Sequence, residues 1–319
     1  MKSHRRRSWQ ALLFLAGIFL SISAACAYDN NHPPSIEDLN RDIAIDPDSA
    51  DAYYDRGILW VKQGQLANAV SDFSHTIKIN PQDAGAYYAR GNAYAGQNDF
   101  KLAITDFTKV IEITPQDAGA YYNRGLAYAG MAQLNETKGI GPFKAQAISD
   151  FTQAIRINPA YAESYHNRGL VYADMARLND DKGIGPFLAQ AMADLNKTIG
   201  LKPGLAQAYF NRGVLFDKMG KFIDAINDFS KAVQLDPQYA ESYAGRGGVY
   251  VEQGDLVQAR FDFTKAIDLN PNLAQAYNDR AIVYYQLKQY SKAWEDLQKA
   301  VALGYAVDPG LVSMVKKAR

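Results

Sequence analysis

ADAYYDRGILWVKQGQLANAVSDFSHTIKINPQD, residues 50–83, runs directly into AGAYYARGNAYAGQNDFKLAITDFTKVIEITPQD, residues 84–117. The two stretches agree at nearly every apolar and small position, so the chain repeats itself with a period of 34 residues. The unit returns at 206–239, 240–273 and 274–307, and in a 44-residue form at 118–161 and 162–205. A half copy, SIEDLNRDIAIDP, precedes them. Such a period marks a stacked architecture, because one unit cannot bury its apolar face without its neighbours.

Inside the unit the spacing is helical. In the second copy Tyr87, Arg90, Gly91 and Tyr94, the fourth, seventh, eighth and eleventh places, fall on one face of a first helix. Ala103, Asp106, Phe107 and Val110 do the same on a second. Pro81, Pro115, Pro159, Pro203, Pro237 and Pro271 then end the second helix, since the residue before a proline is pushed out of the helical region. Glycine inside a helix costs about 1 kcal/mol relative to alanine. Its return at Gly57, Gly91, Gly125, Gly169, Gly213 and Gly247, with Ala281 in the last copy, therefore implies close approach. The expected neighbour is the alanine row Ala69, Ala103, Ala147, Ala191, Ala225, Ala259 and Ala293. Core aromatics are expected at the fourth and eleventh places, with Phe73, Phe107, Phe151, Leu195, Phe229, Phe263 and Leu297 on the second helices.

This pattern of aromatic, glycine, aromatic, alanine, phenylalanine and proline resembles the tetratricopeptide repeat over residues 50–307. The resemblance implies an all-α solenoid, a right-handed superhelix of stacked helix pairs. It departs at the seventh place, where the family usually has leucine and this chain has Arg56, Arg90, Arg124, Arg168, Arg212, Arg246 and Arg280. Asp72, Asp106, Asp150, Asp194, Asp228, Asp262 and Asp296 match them one for one on the second helices. Partly buried ion pairs across helices follow, with the register open: Asp38, in the half copy with no arginine at that place, hints that each aspartate meets the next unit's arginine.

In the two long units ten extra residues fall between the helices, each carrying KGIGPF, at 138–143 and 182–187. A phosphate loop needs its lysine after the glycines and a strand before them, so a duplicated spacer is the better reading. Met131–Leu134 and Met175–Leu178 should prolong the first helix, and Pro142 should sit in the first turn of the second. Lys138, Ile140, Phe143, Lys182, Ile184 and Phe187 are candidates for a docking ridge on twin loops.

The chain's 319 residues begin with Lys2, Arg5, Arg6 and Arg7, an apolar run from Ala11 to Ile22, and Ala25-Cys26-Ala27. This reads as a cleaved export signal, with an uncleaved anchor as the competing reading. Cys26, the single cysteine, sits in a poor match to a lipidation site, because Ser23 stands where leucine is usual. Without residues 1–27 the chain carries 30 basic and 34 acidic residues and no cysteine, which argues against disulfides, thiol chemistry and nucleic-acid binding. Asn135-Glu-Thr137 and Asn196-Lys-Thr198 fit glycosylation acceptors that matter only in a eukaryotic secretory route. His4, His32, His75 and His166 form no metal spacing, and no catalytic constellation appears.

In the resembled family the first helices line a concave groove that receives a peptide or helix. The fifth place should face it: Tyr54, Tyr88, Tyr122, His166, Phe210, Ala244 and Asn278. The ninth and twelfth places add Ile58, Val61, Asn92, Ala95, Leu126, Ala129, Leu170, Ala173, Val214 and Asp217. An exposed stripe of rings favours protein recognition. The expected organisation is a signal (1–27), a lead-in with a half-repeat helix (28–49), seven repeats (50–307) and a capping segment (308–319). The expected role is a non-catalytic envelope scaffold that needs no cofactor and binds a protein partner. It would touch membrane only through Cys26 or an uncleaved signal. Glycan or cell-wall binding and self-assembly into homo-oligomers are the alternatives.

Overall fold

The computed structural model describes residues 34–134, 140–178 and 185–319. The signal with Cys26, the acceptor at 135–137, and Lys138, Lys182 and Ile184 of the twin loops lie outside them. The described residues form sixteen helices and no strand. Helix α1 (Ile36–Ile45) is followed by pairs α2 (Ala50–Lys62) and α3 (Leu66–Ile79), α4 (Ala84–Gly96) and α5 (Phe100–Ile113), and α6 (Ala118–Leu134) and α7 (Ile140–Ile157). Then come α8 (Ala162–Leu178) and α9 (Gly185–Leu201), α10 (Ala206–Lys218) and α11 (Phe222–Leu235), α12 (Ala240–Gln253) and α13 (Leu256–Leu269), α14 (Ala274–Gln286) and α15 (Tyr290–Ala302), and last α16 (Pro309–Ala318). The chain divides into two compact units at Val171 and Tyr172, inside α8. In each unit helices pack on their chain neighbours, and alternate first helices also touch: α2 with α4 and α4 with α6 in one, α10 with α12 and α12 with α14 in the other.

Local chemistry sets the ends. Ser49 and Asp83 accept a hydrogen bond from the backbone N–H three residues on and cap α2 and α4; Asp117 does the same for Ala120 in α6. Asn80, Thr114, Asp236 and Asn270, each just before a proline, close their helices in extended or near-extended geometry. The bend between helices of one pair needs a left-handed residue. Gly64 supplies it at φ 74°, but Lys288 holds φ 61° at the same place of the last repeat.

The core corrects one expectation. A Cβ on Gly57 would lie 2.6 Å from Phe73 Cε1, and one on Gly125 2.8 Å from Phe151 Cε1. The helical glycines therefore make room for the phenylalanine row, not for the alanines, which are buried beside it. The last repeat fits this rule, because Ala281 stands where Leu297 replaces phenylalanine.

The arginine ladder pairs within the repeat in six of the seven copies. Arg56 with Asp72, Arg90 with Asp106, Arg124 with Asp150, Arg212 with Asp228, Arg246 with Asp262 and Arg280 with Asp296 each form two parallel N–H···O bonds of 2.7–2.9 Å. The hint from Asp38 was misleading: Asp38 caps α1 through Ser35 and pairs with Arg41. What reaches the preceding repeat is the remaining Nη1. It donates to Asn40, Ser74, Thr108, Thr152, Asn196, Ser230 or Thr264, always sixteen residues back and just after the core phenylalanine or leucine. The fourth-place tyrosines, from Tyr53 to Tyr277, lie over these guanidinium groups at 5.5–5.8 Å. Burial pushes the Asp106 and Asp150 carboxyls up against the pull of their arginines.

Candidate functional site

The first helices carry the side chains that sequence singled out, and the structure moves most of them inward. Fifth-place rings lean on the core phenylalanine of their own repeat: Tyr54 on Phe73, Tyr88 on Phe107, Tyr122 on Phe151 and Phe210 on Phe229, with centroids 5.6–5.8 Å apart. Tyr54, Tyr88 and Tyr122 are half-buried, while His166, Phe210, Ala244 and Asn278 are buried, Phe210 to 2 % exposure. Ile58, Asn92, Leu126 and Leu170 at the ninth place are buried too, as are Ala95, Ala129 and Ala173 at the twelfth. A uniformly exposed aromatic stripe is therefore overturned. The fourth and eleventh places, expected in the core, instead stay only partly covered in most repeats and shield the ladder. Val61, Val214 and Asp217 remain partly open.

A polar row that the sequence reading missed fixes the rings. Asn123 donates from Nδ2 to the Tyr88 hydroxyl at 2.9 Å and to Asn92 Oδ1 at 3.0 Å, and Asn167 donates to the Tyr122 hydroxyl at 3.0 Å. The two tyrosine bonds run from the sixth place of one repeat to the fifth place of the one before, and the bond to Asn92 reaches its ninth place. The signal was present, since asparagine occupies the sixth place at Asn123, Asn167 and Asn211 in succession.

Burial and nearby carboxylates shape the electrostatics. Burial, and then the charge of Asp117, pushes the Tyr88 hydroxyl up to about 12 against the Asn123 hydrogen bond. Tyr122 and Tyr161, whose rings meet at 5.0 Å, are raised further, first by burial, with Glu163 adding to both. Burial holds the His166 imidazole down near 4, against Glu163. In the second unit burial, then Glu252, pushes the Asp217 carboxyl up to about 6, with Lys218 opposing.

The twin loops yield little of the expected ridge. Phe143 is half-buried in α7, and Phe187 is half-buried and stacked on Tyr172 at 6.3 Å. Met131–Leu134 does extend α6, and Pro142 falls in the first turn of α7. Among the described residues no group of three or more His, Cys, Asp or Glu could hold a metal ion. No described helix is long and apolar enough to cross a membrane.

Family models described as TPR repeat match residues 91–131 and 247–288, and others described as tetratricopeptide repeat match 206–239 and 24–90. No curated protein matches the sequence. Among solved structures, one chain of the APC/C hetero-tetramer Cut9-Hcn1 is similar at 20 % identity and TM-score 0.61, over 89 % of this chain and 52 % of that one. This chain thus spans about half the length of that relative. A tetratricopeptide repeat protein from Parabacteroides merdae is similar at 19 % identity and TM-score 0.61, over 85 % and 98 %. Pseudomonas aeruginosa pilF is similar at 19 % and TM-score 0.59, over 76 % and 99 %. At these identities the likeness is one of fold.

Proposed function

Because the chain is a tetratricopeptide-repeat protein, we propose that it is an exported scaffold of the cell envelope that binds a segment of a partner protein along its first helices. The observation that carries this reading is the division of labour in those helices. Six of the seven ladder arginines are held inside their own repeat, fifth-place rings are pinned by asparagines or core phenylalanines, and in the later repeats Val214, Asp217, Val251, Ile282 and Tyr285, at the ninth and twelfth places, stay partly open. A rigid framework that leaves a periodic face open lowers the ordering cost of docking an extended or helical segment. Export rests on the basic start, the apolar run and the small residues at Ala25–Ala27.

Photo-cross-linking tests the binding face. A photoreactive residue at Val251, on a first helix, should capture one polypeptide from the native envelope that Ile223, 74 % exposed on a second helix, does not. Equal capture from Ile223, or none from Val251, would overturn the assignment. Sequencing the amino terminus of protein recovered from the envelope should read from Tyr28, and a retained Lys2 to Arg7 would refute cleavage.

A further inference from the structure

In the unit Tyr172–Arg319 charge is sorted by helix layer once the ladder pairs are set aside. The first helices α10, α12 and α14 then hold four acids, Asp217, Glu241, Glu252 and Asp279, against one base, Lys218. The second helices α11, α13 and α15 hold five bases, Lys231, Arg260, Lys265, Lys292 and Lys299, against three acids, Asp224, Asp268 and Glu295. Setting the ladder aside is licensed by geometry, since Arg212, Arg246 and Arg280 each close on an aspartate through two bonds. Their charge is therefore neutralised locally and offers little field at the first-helix surface.

The acids lie among apolar side chains. Asp217 on α10 and Glu252 on the adjacent α12 are close enough for Glu252 to raise the Asp217 carboxyl, and neither forms an ion pair among the described residues. Around them Val214, Val251, Ile282 and Tyr285 follow the same helical spacing and remain partly open. The negative field extends along the layer, since Glu241 and Asp236 add to burial in raising the Tyr239 hydroxyl and Asp279 does the same for Tyr305.

Resting on the scaffold reading, we propose that the α10–α12–α14 face recognises a partner segment in which lysine or arginine alternates with apolar side chains, the cations seated at Asp217 and Glu252. The partly covered Asp217 and the exposed Glu252 repel one another as like charges, and an incoming cation relieves that repulsion while apolar neighbours exclude water from the contact. An acidic segment would add a third negative group and be rejected.

The test uses the full chain and two fluorescent peptides of equal length, one alternating lysine with leucine and the other glutamate with leucine, titrated at low and physiological salt. The lysine–leucine peptide should bind, with affinity falling as salt rises, and the glutamate–leucine peptide should bind at least about tenfold more weakly. The Asp217→Asn/Glu252→Gln variant should lose about tenfold for the lysine peptide. Should that variant fail to fold by circular dichroism, Glu252→Lys, at an exposed side chain, decides with the same expected loss. Equal binding of the two peptides, or unchanged affinity in the folded variants, overturns the charge assignment. If Val251 still captures its partner in that case, the scaffold reading stands without it; if Val251 captures nothing, both fall.

Discussion

Arg246→Leu isolates what the ladder contributes. The guanidinium donates to Asp262 through Nε and Nη2 at 2.8 Å each and to the Ser230 hydroxyl at 3.0 Å, and it lies over the Tyr243 ring at 5.8 Å. The Asp262 side chain is 1 % exposed, so removing Arg246 leaves a carboxylate with neither water nor cation. Breaking such a pair from one side costs about 3–5 kcal/mol, whereas replacing both members with apolar groups of similar volume is often neutral or stabilising. Arg246→Leu should therefore lose about 3–5 kcal/mol, and Arg246→Leu/Asp262→Leu should lie within about 2 kcal/mol of the parent. Urea melts followed by circular dichroism and by tryptophan fluorescence, with Trp294 in the same unit, give both values and show by coincidence whether one transition describes them. A single variant that loses less than about 1 kcal/mol, or a double variant as unstable as the sum of the singles, would refute the argument that an orphaned Asp262 is the source of the cost.

Gly57→Ala should destabilise by about 1–3 kcal/mol because its Cβ meets Phe73, and Phe73→Leu should recover part of the loss in the double variant, as the natural pair Ala281 and Leu297 suggests; thermal melts of the three proteins check it. Tyr88→Phe should cost about 1 kcal/mol in urea titration by removing one acceptor of Asn123, whereas Tyr88→Ala should cost about 3–5 kcal/mol, so only the former serves as a binding probe. His166 takes a proton near 6.5 when unfolded and near 4 when folded, so between those values the unfolded chain binds more protons and stability rises with pH. His166→Gln lacks this dependence, and the parent's advantage over it should shrink by up to about 3 kcal/mol as pH falls from 6.5 to 4, read from urea midpoints. Lys288→Gly should raise stability by about 0.5–1 kcal/mol by relieving its left-handed backbone, and an unchanged or lower melting temperature would count against that strain.

The repeat period, the helix pairs and the proline stops were legible because each rests on local chemistry that recurs in every copy. The facing of individual side chains was not. Fourth and fifth places are adjacent tyrosines in Tyr53-Tyr54, Tyr87-Tyr88 and Tyr121-Tyr122, and neighbouring helical positions differ by only about 100°. Which ring of the pair meets the core phenylalanine and which lies over the ladder arginine is a property of two helices together. The register of the ladder was illegible for the same reason. Asp38 carries the matching residue type, but its place in the first turn of α1 lets it cap its own helix, and only the local bond with Ser35 reveals that.

The third arginine bond also explains why a small polar residue follows the core position in every repeat but the last, where Gln298 follows Leu297. An isolated ion pair would stabilise its own helix hairpin and contribute nothing to the contact between adjacent hairpins. Donation to Ser230 ties Arg246 to the repeat before it, while Asp262 ties it to its own, so one side chain contributes both to the intrinsic stability of a repeat and to the interface between repeats. Asn40 extends the same link to α1, the first of the described helices. Leucine at the seventh place could fill the volume but could not fix the register of one hairpin on the next. The buried polar ladder therefore specifies which way successive repeats stack, at a desolvation cost visible in the raised Asp106 and Asp150 carboxyls.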